Sequence, residues 1–191
     1  MSHAELTADL RTLLGQWSAP STEQESLREE YLAHLDAHEL ATAKSGPPAH
    51  FTASCLVIDA AGERVLMTLH KKVGRWLQFG GHLEEGDASV AAGALREALE
   101  ESGLEAAGLT LLPGPVQLDR HPLGSGFSRC TEHLDLRWVA VAAPGSLPEV
   151  SEESDDVAWW PATDLPEGTD DSLRSLVGLA RDLPRPDTRC G

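Results

Sequence analysis

The chain has 191 residues, the size of one ordinary domain with a modest appendage and too short for two full-sized domains. Hydrophobic residues make up 41% and charged residues 24%, a globular mixture that argues against a wholly disordered chain. With 31 Asp and Glu against 15 Lys and Arg, the formal charge of -16 repels a phosphate backbone over most of the surface and disfavours binding to nucleic-acid polymers.

The opening Met1-Ser2-His3-Ala4-Glu5-Leu6-Thr7 lacks the basic and apolar regions of a secretory signal, and no apolar run approaches the roughly 20 residues that span a bilayer. A soluble, cytoplasmic protein with no membrane partner is expected. Cys55, Cys130 and Cys190 are far apart and in no metal-ligand spacing, so they suggest neither a disulfide framework nor a zinc site. Cys55 falls in an apolar run and reads as core.

Leu6, Leu10, Leu13, Leu14 and Trp17 recur at helical spacing until Ala19-Pro20 breaks the pattern. Ser21 with Gln24 reads as a capping box opening a second helix, whose Leu27, Tyr31 and Leu35 form one stripe. Residues 41–49, with Gly46-Pro47-Pro48, read as a linker. A helical extension over 1–46 is therefore expected, then a domain over 47–183 and a disordered tail over 184–191.

Phe51 to Ile58 favours a strand, Ala60-Ala61-Gly62 a turn, and Arg64 to Leu69 the antiparallel partner. Val116 to Asp119 and His133 to Ala142 are further strands. In the latter, Leu134, Leu136 and Trp138 share one face while His133, Asp135 and Arg137 share the other. Helices are expected at about Ser89 to Ser102 and Asp170 to Leu183. Hairpins with few helices indicate an α+β fold, an α/β/α sandwich rather than a regular parallel one.

The chemistry concentrates in Gly80-Gly81-His82-Leu83-Glu84-Glu85-Gly86-Asp87 and Leu95-Arg96-Glu97-Ala98-Leu99-Glu100-Glu101-Ser102-Gly103-Leu104. Glu97, Glu100 and Glu101 stand at i, i+3 and i+4, so a helix crowds three carboxylates on one face. Like charges at that spacing cost roughly 0.2 to 0.5 kcal/mol per pair, and anions near a helix C-terminus are repelled further by its dipole. A solvated acidic face with Arg96 paired to Glu100 is the plain account. The alternative is a divalent cation held by carboxylates and a carbonyl of the Gly-rich loop, the hard oxygen cage that Mg²⁺ or Mn²⁺ prefers. Gly103 suits a left-handed C-cap.

These residues resemble the box of the Nudix hydrolases: Arg96-Glu97-Ala98-Leu99-Glu100-Glu101-Ser102-Gly103-Leu104 matches its second half, and Gly81 its leading glycine. Two departures stand out. Asp87 occupies the place of a glutamate, and one extra residue separates it from Arg96. An extra residue inside the helix would rotate everything before it by about 100°, so it is expected in the turn between Asp87 and Val90, with Asp87 either contacting Arg96 or capping the helix.

The resemblance extends over roughly Phe51 to Leu165, including Trp76-Leu77-Gln78-Phe79 and Trp159-Trp160-Pro161, and one bacterial subgroup is similar even to His133-Leu134-Asp135-Leu136-Arg137. It implies a Nudix-type sandwich with a mixed sheet. It also implies metal-dependent attack of water on a nucleoside diphosphate derivative, cleaving the pyrophosphate to a nucleoside monophosphate and a phosphorylated product. By position it assigns Gly81, Glu97, Glu100 and Glu101 to Mg²⁺ or Mn²⁺, with Arg96 in the catalytic set. Trp76, His82, His133, Asp135 and Arg137 are the expected substrate contacts, since a polar row on a covered sheet is costly unless it lines a cleft. Lys71, Lys72 and Arg75 are phosphate candidates. Glu152, Glu153, Asp155 and Asp156, in an acidic loop, are candidates for a distant ligand, and His70, His121 and His133 read as ordinary hydrogen-bonded histidines. A homodimer is compatible with all of this. The rival readings are a non-catalytic nucleotide-binding regulatory module on the same fold, and an isoprenoid-diphosphate isomerase using a cysteine and a glutamate.

Overall fold

The computed structural model describes residues 1–123, 130–152 and 154–185. The chain opens with α1 (His3–Gln16), whose Leu6, Leu10 and Leu14 are wholly buried at helical spacing. Ser2 caps it: the Ser2 hydroxyl accepts the Glu5 N–H while the Glu5 carboxylate accepts the Ser2 N–H, a complete capping box. The next helix, α2 (Thr22–Ala37), is capped by Ser21, which accepts the Gln24 N–H at 3.2 Å. The reciprocal half expected from Gln24 does not form. Its side-chain amide instead clamps the Leu118 backbone, accepting the N–H at 2.7 Å and donating to the carbonyl at 2.9 Å.

The described residues divide into two compact units, one built from Met1–Ala53, Gly81–Ala94 and Gly114–Arg137, the other from Ser54–Gly80, Leu95–Pro113 and Trp138–Gly191. Residues 1–46, expected as a helical extension with its linker, fall in the same unit as 81–94 and 114–137. Four elements contribute residues to both units: β1 (Ala49–Asp59), β4 (Phe79–His82), α3 (Val90–Ser102) and β7 (Glu132–Ala142).

In the second unit the strand order is β3-β2-β1-β7-β5, with β2 at Arg64–His70, β3 at Arg75–Leu77 and β5 at Leu109–Leu111; β8 (Ser154–Pro161) also pairs with β2. The β1–β2 hairpin is antiparallel as expected, with Val57 opposite Leu66. The core here gathers Leu56, Val57, Ile58, Leu66, Met67, Phe79 and Trp138 with Leu173, Leu176 and Val177 of α4 (Asp171–Asp182). Cys55 is wholly buried among them, as read from the sequence. Strand β5 was not expected, while β3, β4 and β8 take in Trp76, Leu77, Phe79 and Trp159 to Pro161 of the stretches that the resemblance covers and extend beyond them. Asp155 and Asp156 therefore lie in a strand rather than an acidic loop, Gly80 and Gly81 lie in β4 rather than a loop, and Glu153 lies outside the described residues.

In the first unit β6 (Gln117–Pro122) pairs antiparallel with β7, setting Gln117 opposite Arg137, Asp119 opposite Asp135 and His121 opposite His133. Residues 41–49 are more than a linker: Ala41, Thr42 and Ala43 are buried, the Thr42 hydroxyl donates to the His3 carbonyl at 3.1 Å, and Phe51 N–H donates to Ala41 O at 2.8 Å. The Tyr31 hydroxyl donates to the Asp119 carbonyl at 2.7 Å, fixing α2 against β6. Burial first, and the Asp135 and Asp119 carboxylates second, raise the Tyr31 phenol well above its ordinary value.

Tyr31 is the only tyrosine in the chain, so tyrosinate absorbance reports this site alone. Because the folded state resists ionisation, its stabilising contribution is present below the ordinary tyrosine pKa of about 10 and is lost as pH rises above it. Tyrosinate is expected to appear together with loss of near-UV circular dichroism. Titration at an ordinary pH with the fold intact would contradict this packing.

Among the described residues no helix is long and apolar enough to cross a membrane. The strands form a mixed sheet and the chain is α+β, the expected class. Of the tail expected to be disordered, residues 186–191 lie outside the described residues.

Candidate active site

Helix α3 begins at Val90, so the extra residue of the box falls in the turn before it and leaves the carboxylate register intact. Ser89 caps this helix through Ala92 N–H (3.0 Å), and Asp9 accepts Val90 N–H at 2.8 Å. Asp87 is not the cap. It is 7% exposed, and its Oδ2 accepts Glu84 N–H at 2.9 Å, closing the loop that precedes the helix. A Cβ on Gly93 would stand 2.9 Å from that same oxygen and 2.7 Å from Leu83, so only glycine permits this approach of helix and loop.

At the other end Gly103 has φ +67°, the expected left-handed cap, and its N–H returns to Leu99 O at 3.0 Å. A Cβ there would meet Glu149, whose N–H donates to Ser102 O at 2.8 Å.

Glu97, Glu100 and Glu101 share one face of this helix but differ in exposure. The side chains of Glu97 and Glu100 are 14% and 60% exposed, and Glu101 is 7% exposed. Arg96 Nη1 lies 3.0 Å from Glu97 Oε1 and 3.0 Å from Glu100 Oε2, so the expected Arg96–Glu100 pair is present and Glu97 joins it. A fully solvated acidic face does not describe this arrangement, since two of the three carboxylates have little access to water. The donor set is hard oxygen, which suits Mg²⁺ or Mn²⁺. Trp76, on β3 of the same unit, is half-buried with its ring 5.3 Å from that of Trp160, edge to face. Lys71, Lys72 and Arg75 are exposed around the β2–β3 turn, and Lys71 Nζ donates to Glu152 O at 2.6 Å.

Gly81, His82, His133, Asp135 and Arg137 all belong to the first unit. Asp135 and Arg137 are 3% and 4% exposed. The Arg137 guanidinium donates to Asp135 Oδ2 at 3.2 Å, Asp119 Oδ2 at 2.8 Å and Gln117 Oε1 at 3.1 Å, and Thr52 Oγ1 donates to Asp135 Oδ1 at 2.9 Å. The alternating polar row is real, but these two members are enclosed and paired with each other and with β6.

His82 and His133 come together, ring centroids 5.2 Å apart, with His50 5.0 and 5.4 Å from them. Burial first, then neighbouring positive groups and rings, lowers His133 to about 3 and His82 to about 4. Both imidazoles are therefore neutral near pH 7 and offer no cation to a phosphate. His121 pairs with Asp119 at 2.8 Å; burial, the largest single influence, opposes its charge, but the Asp119 and Asp135 carboxylates together outweigh it and raise its pKa. His133 is not the ordinary hydrogen-bonded histidine expected, for its Nε2 is buried with no hydrogen-bond partner among the described residues. His50 and Cys130 join these rings with no ligand spacing in the sequence to announce it, since the two stand some eighty positions apart.

The family model described as NUDIX domain matches residues 48–177. Among solved structures, the chain is similar to a NUDIX-family hydrolase from Clostridium perfringens (23% identity, 69% of this chain and 93% of that one, TM-score 0.53). It is similar also to the Ap4A hydrolase of C. elegans (17%, 68% and 93%, TM-score 0.56) and to a MutT NUDIX hydrolase of Burkholderia pseudomallei (20%, 69% and 97%, TM-score 0.52). At these identities the likeness is one of fold. A search of curated proteins by sequence gives no match. With the box helix formed in register and the family model covering most of the chain, the protein belongs to the Nudix hydrolase family.

Proposed function

We propose that the protein hydrolyses the pyrophosphate of a nucleoside diphosphate linked to a second moiety, using Mg²⁺ or Mn²⁺ held by Glu97, Glu100 and Glu101. The observation that carries this reading is the near-burial of Glu97 and Glu101 on one helix face, with a guanidinium already bridging Glu97 and Glu100. Buried like charges persist only where something positive compensates them. The Gly81 carbonyl joins the set by its position in the motif. When bound, the metal neutralises the pyrophosphate and lowers the pKa of the attacking water. Arg96 is a positioning residue that orients two carboxylates, and a carboxylate of this face takes the proton of the attacking water.

Trp76, paired with Trp160, offers a partly open ring for stacking, and Lys71, Lys72 and Arg75 offer phosphate contacts. Asp135 and Arg137, enclosed and mutually paired, hold β6 and β7 together, and any effect of theirs on substrate is indirect. A soluble nucleotide derivative and a cytoplasmic location belong to the same reading. The isomerase alternative needs a reactive thiol, whereas Cys55 is wholly buried and burial pushes its thiol up, away from the thiolate.

The direct test screens nucleoside diphosphate derivatives for metal-dependent release of a nucleoside monophosphate. A regulatory module would bind without turnover. A second test uses stability: Mg²⁺ at a hundredfold excess over its dissociation constant stabilises by about 2.7 kcal/mol, which raises Tm by about 5–11 °C over EDTA for a chain of this size. The Glu97/Glu100/Glu101 triple Gln variant is expected to show no shift. An equal shift in that variant would place the metal elsewhere.

A further inference from the structure

Five potential ligand residues meet in the first unit, away from any spacing visible in the sequence. His50 lies on β1, His82 on β4, His121 on β6 and His133 on β7, and Cys130 stands just before β7. Ligand atoms of His50, Cys130 and His133 all lie within 4.8 Å of one another. Cys130 Sγ is 3.5 Å from His50 Nε2, against about 3.6 Å for sulfur and nitrogen ligands of one tetrahedral zinc ion.

Three features separate this cluster from histidines packed for bulk. His50 is 1% exposed, and its Nδ1 lies 3.1 Å from Pro47 O. An N–H donated to that carbonyl is the outer hydrogen bond that metal-bound histidines almost always make and leaves Nε2 unprotonated, while Cys130 Sγ lies 3.8 Å from Nδ1 and 3.5 Å from Nε2. Among the described residues, His133 Nε2 is buried with no hydrogen-bond partner, an unusual state for an imidazole nitrogen. The His82 ring adjoins both, with centroids 5.0 and 5.2 Å away.

We propose that His50, Cys130 and His133 bind a divalent cation of the zinc class, with His82 beside its fourth position. Two imidazoles and a thiolate select zinc over magnesium, which prefers oxygen. The Cys130 thiol gives up its proton to solvent as the metal–sulfur bond forms, with no change of oxidation state. The site is chemically distinct from the glutamate face of α3 and joins β1 to β7.

Cobalt tests this, because a Co²⁺–thiolate bond gives a charge-transfer absorption that carboxylate ligands do not. The full chain, stripped of metal, is expected to develop that band with one equivalent of Co²⁺ and to lose it when Zn²⁺, but not Mg²⁺, is added. Cys130→Ser is expected to abolish the band, whereas the Glu97/Glu100/Glu101 triple Gln variant keeps it, so failure of this site is distinguishable from failure of the hydrolase reading. His133→Gln, with circular dichroism confirming the fold, is expected to weaken Co²⁺ binding. Absence of the band in the wild type, or its persistence in Cys130→Ser, overturns the proposal.

Discussion

Glu101→Gln is expected to lower kcat on the order of 10²–10⁴-fold at saturating Mg²⁺ while the protein melts close to wild type in EDTA. Gln keeps the volume of the side chain, which matters at 7% exposure, and removes only the charge. Glu97 stands four residues earlier on the same face, so loss of the charge relieves roughly 0.2–0.5 kcal/mol of repulsion between the two. Glu100→Gln is expected to act in the same direction and to remove one of the carboxylates that Arg96 contacts. Near-wild-type turnover in both variants at saturating Mg²⁺ would remove the metal assignment.

The second large effect falls on stability. Arg137→Ala is expected to cost about 3–5 kcal/mol, lowering Tm by about 6–20 °C, because it leaves the Asp135 and Asp119 side chains, 4% and 13% exposed, without their guanidinium. Gln117 Oε1 loses a donor as well. Asp135→Asn in the same background is expected to recover part of the loss by removing one stranded charge. A row that instead lined the substrate pocket would give a different signature: an unchanged melting temperature with kcat/KM reduced by roughly 1.5–3 kcal/mol, the value of one charge-assisted hydrogen bond. Melting and kinetics of the single variant decide between them.

The helices were legible because their signals are local. Leu6, Leu10 and Leu14 repeat at helical spacing, Asp170 caps α4 through Leu173 N–H, and Gly103 ends α3. The β1–β2 hairpin announced itself through a turn between two apolar runs. Strand β8 did not, since Ser154, Asp155 and Asp156 carry no strand pattern and become a strand only by pairing with β2. Likewise Gly80 and Gly81 are poor strand formers that β1 recruits into its ladder.

The candidate site divides along the same line. Glu97, Glu100 and Glu101 lie within two turns of one helix, so their common face follows from 3.6 residues per turn whatever surrounds them. That two of them are nearly buried is tertiary, and so is the enclosure of Arg137. Alternation along β7 determined which side chains share a face, but only the placement of β6 and α2, through Tyr31 and Gln24, decided that this face is closed. The cluster of His50, Cys130 and His133 is the extreme case. Its members meet because strand pairing brings together chain positions some eighty residues apart, and no pattern in a linear sequence encodes the register that sets His121 opposite His133.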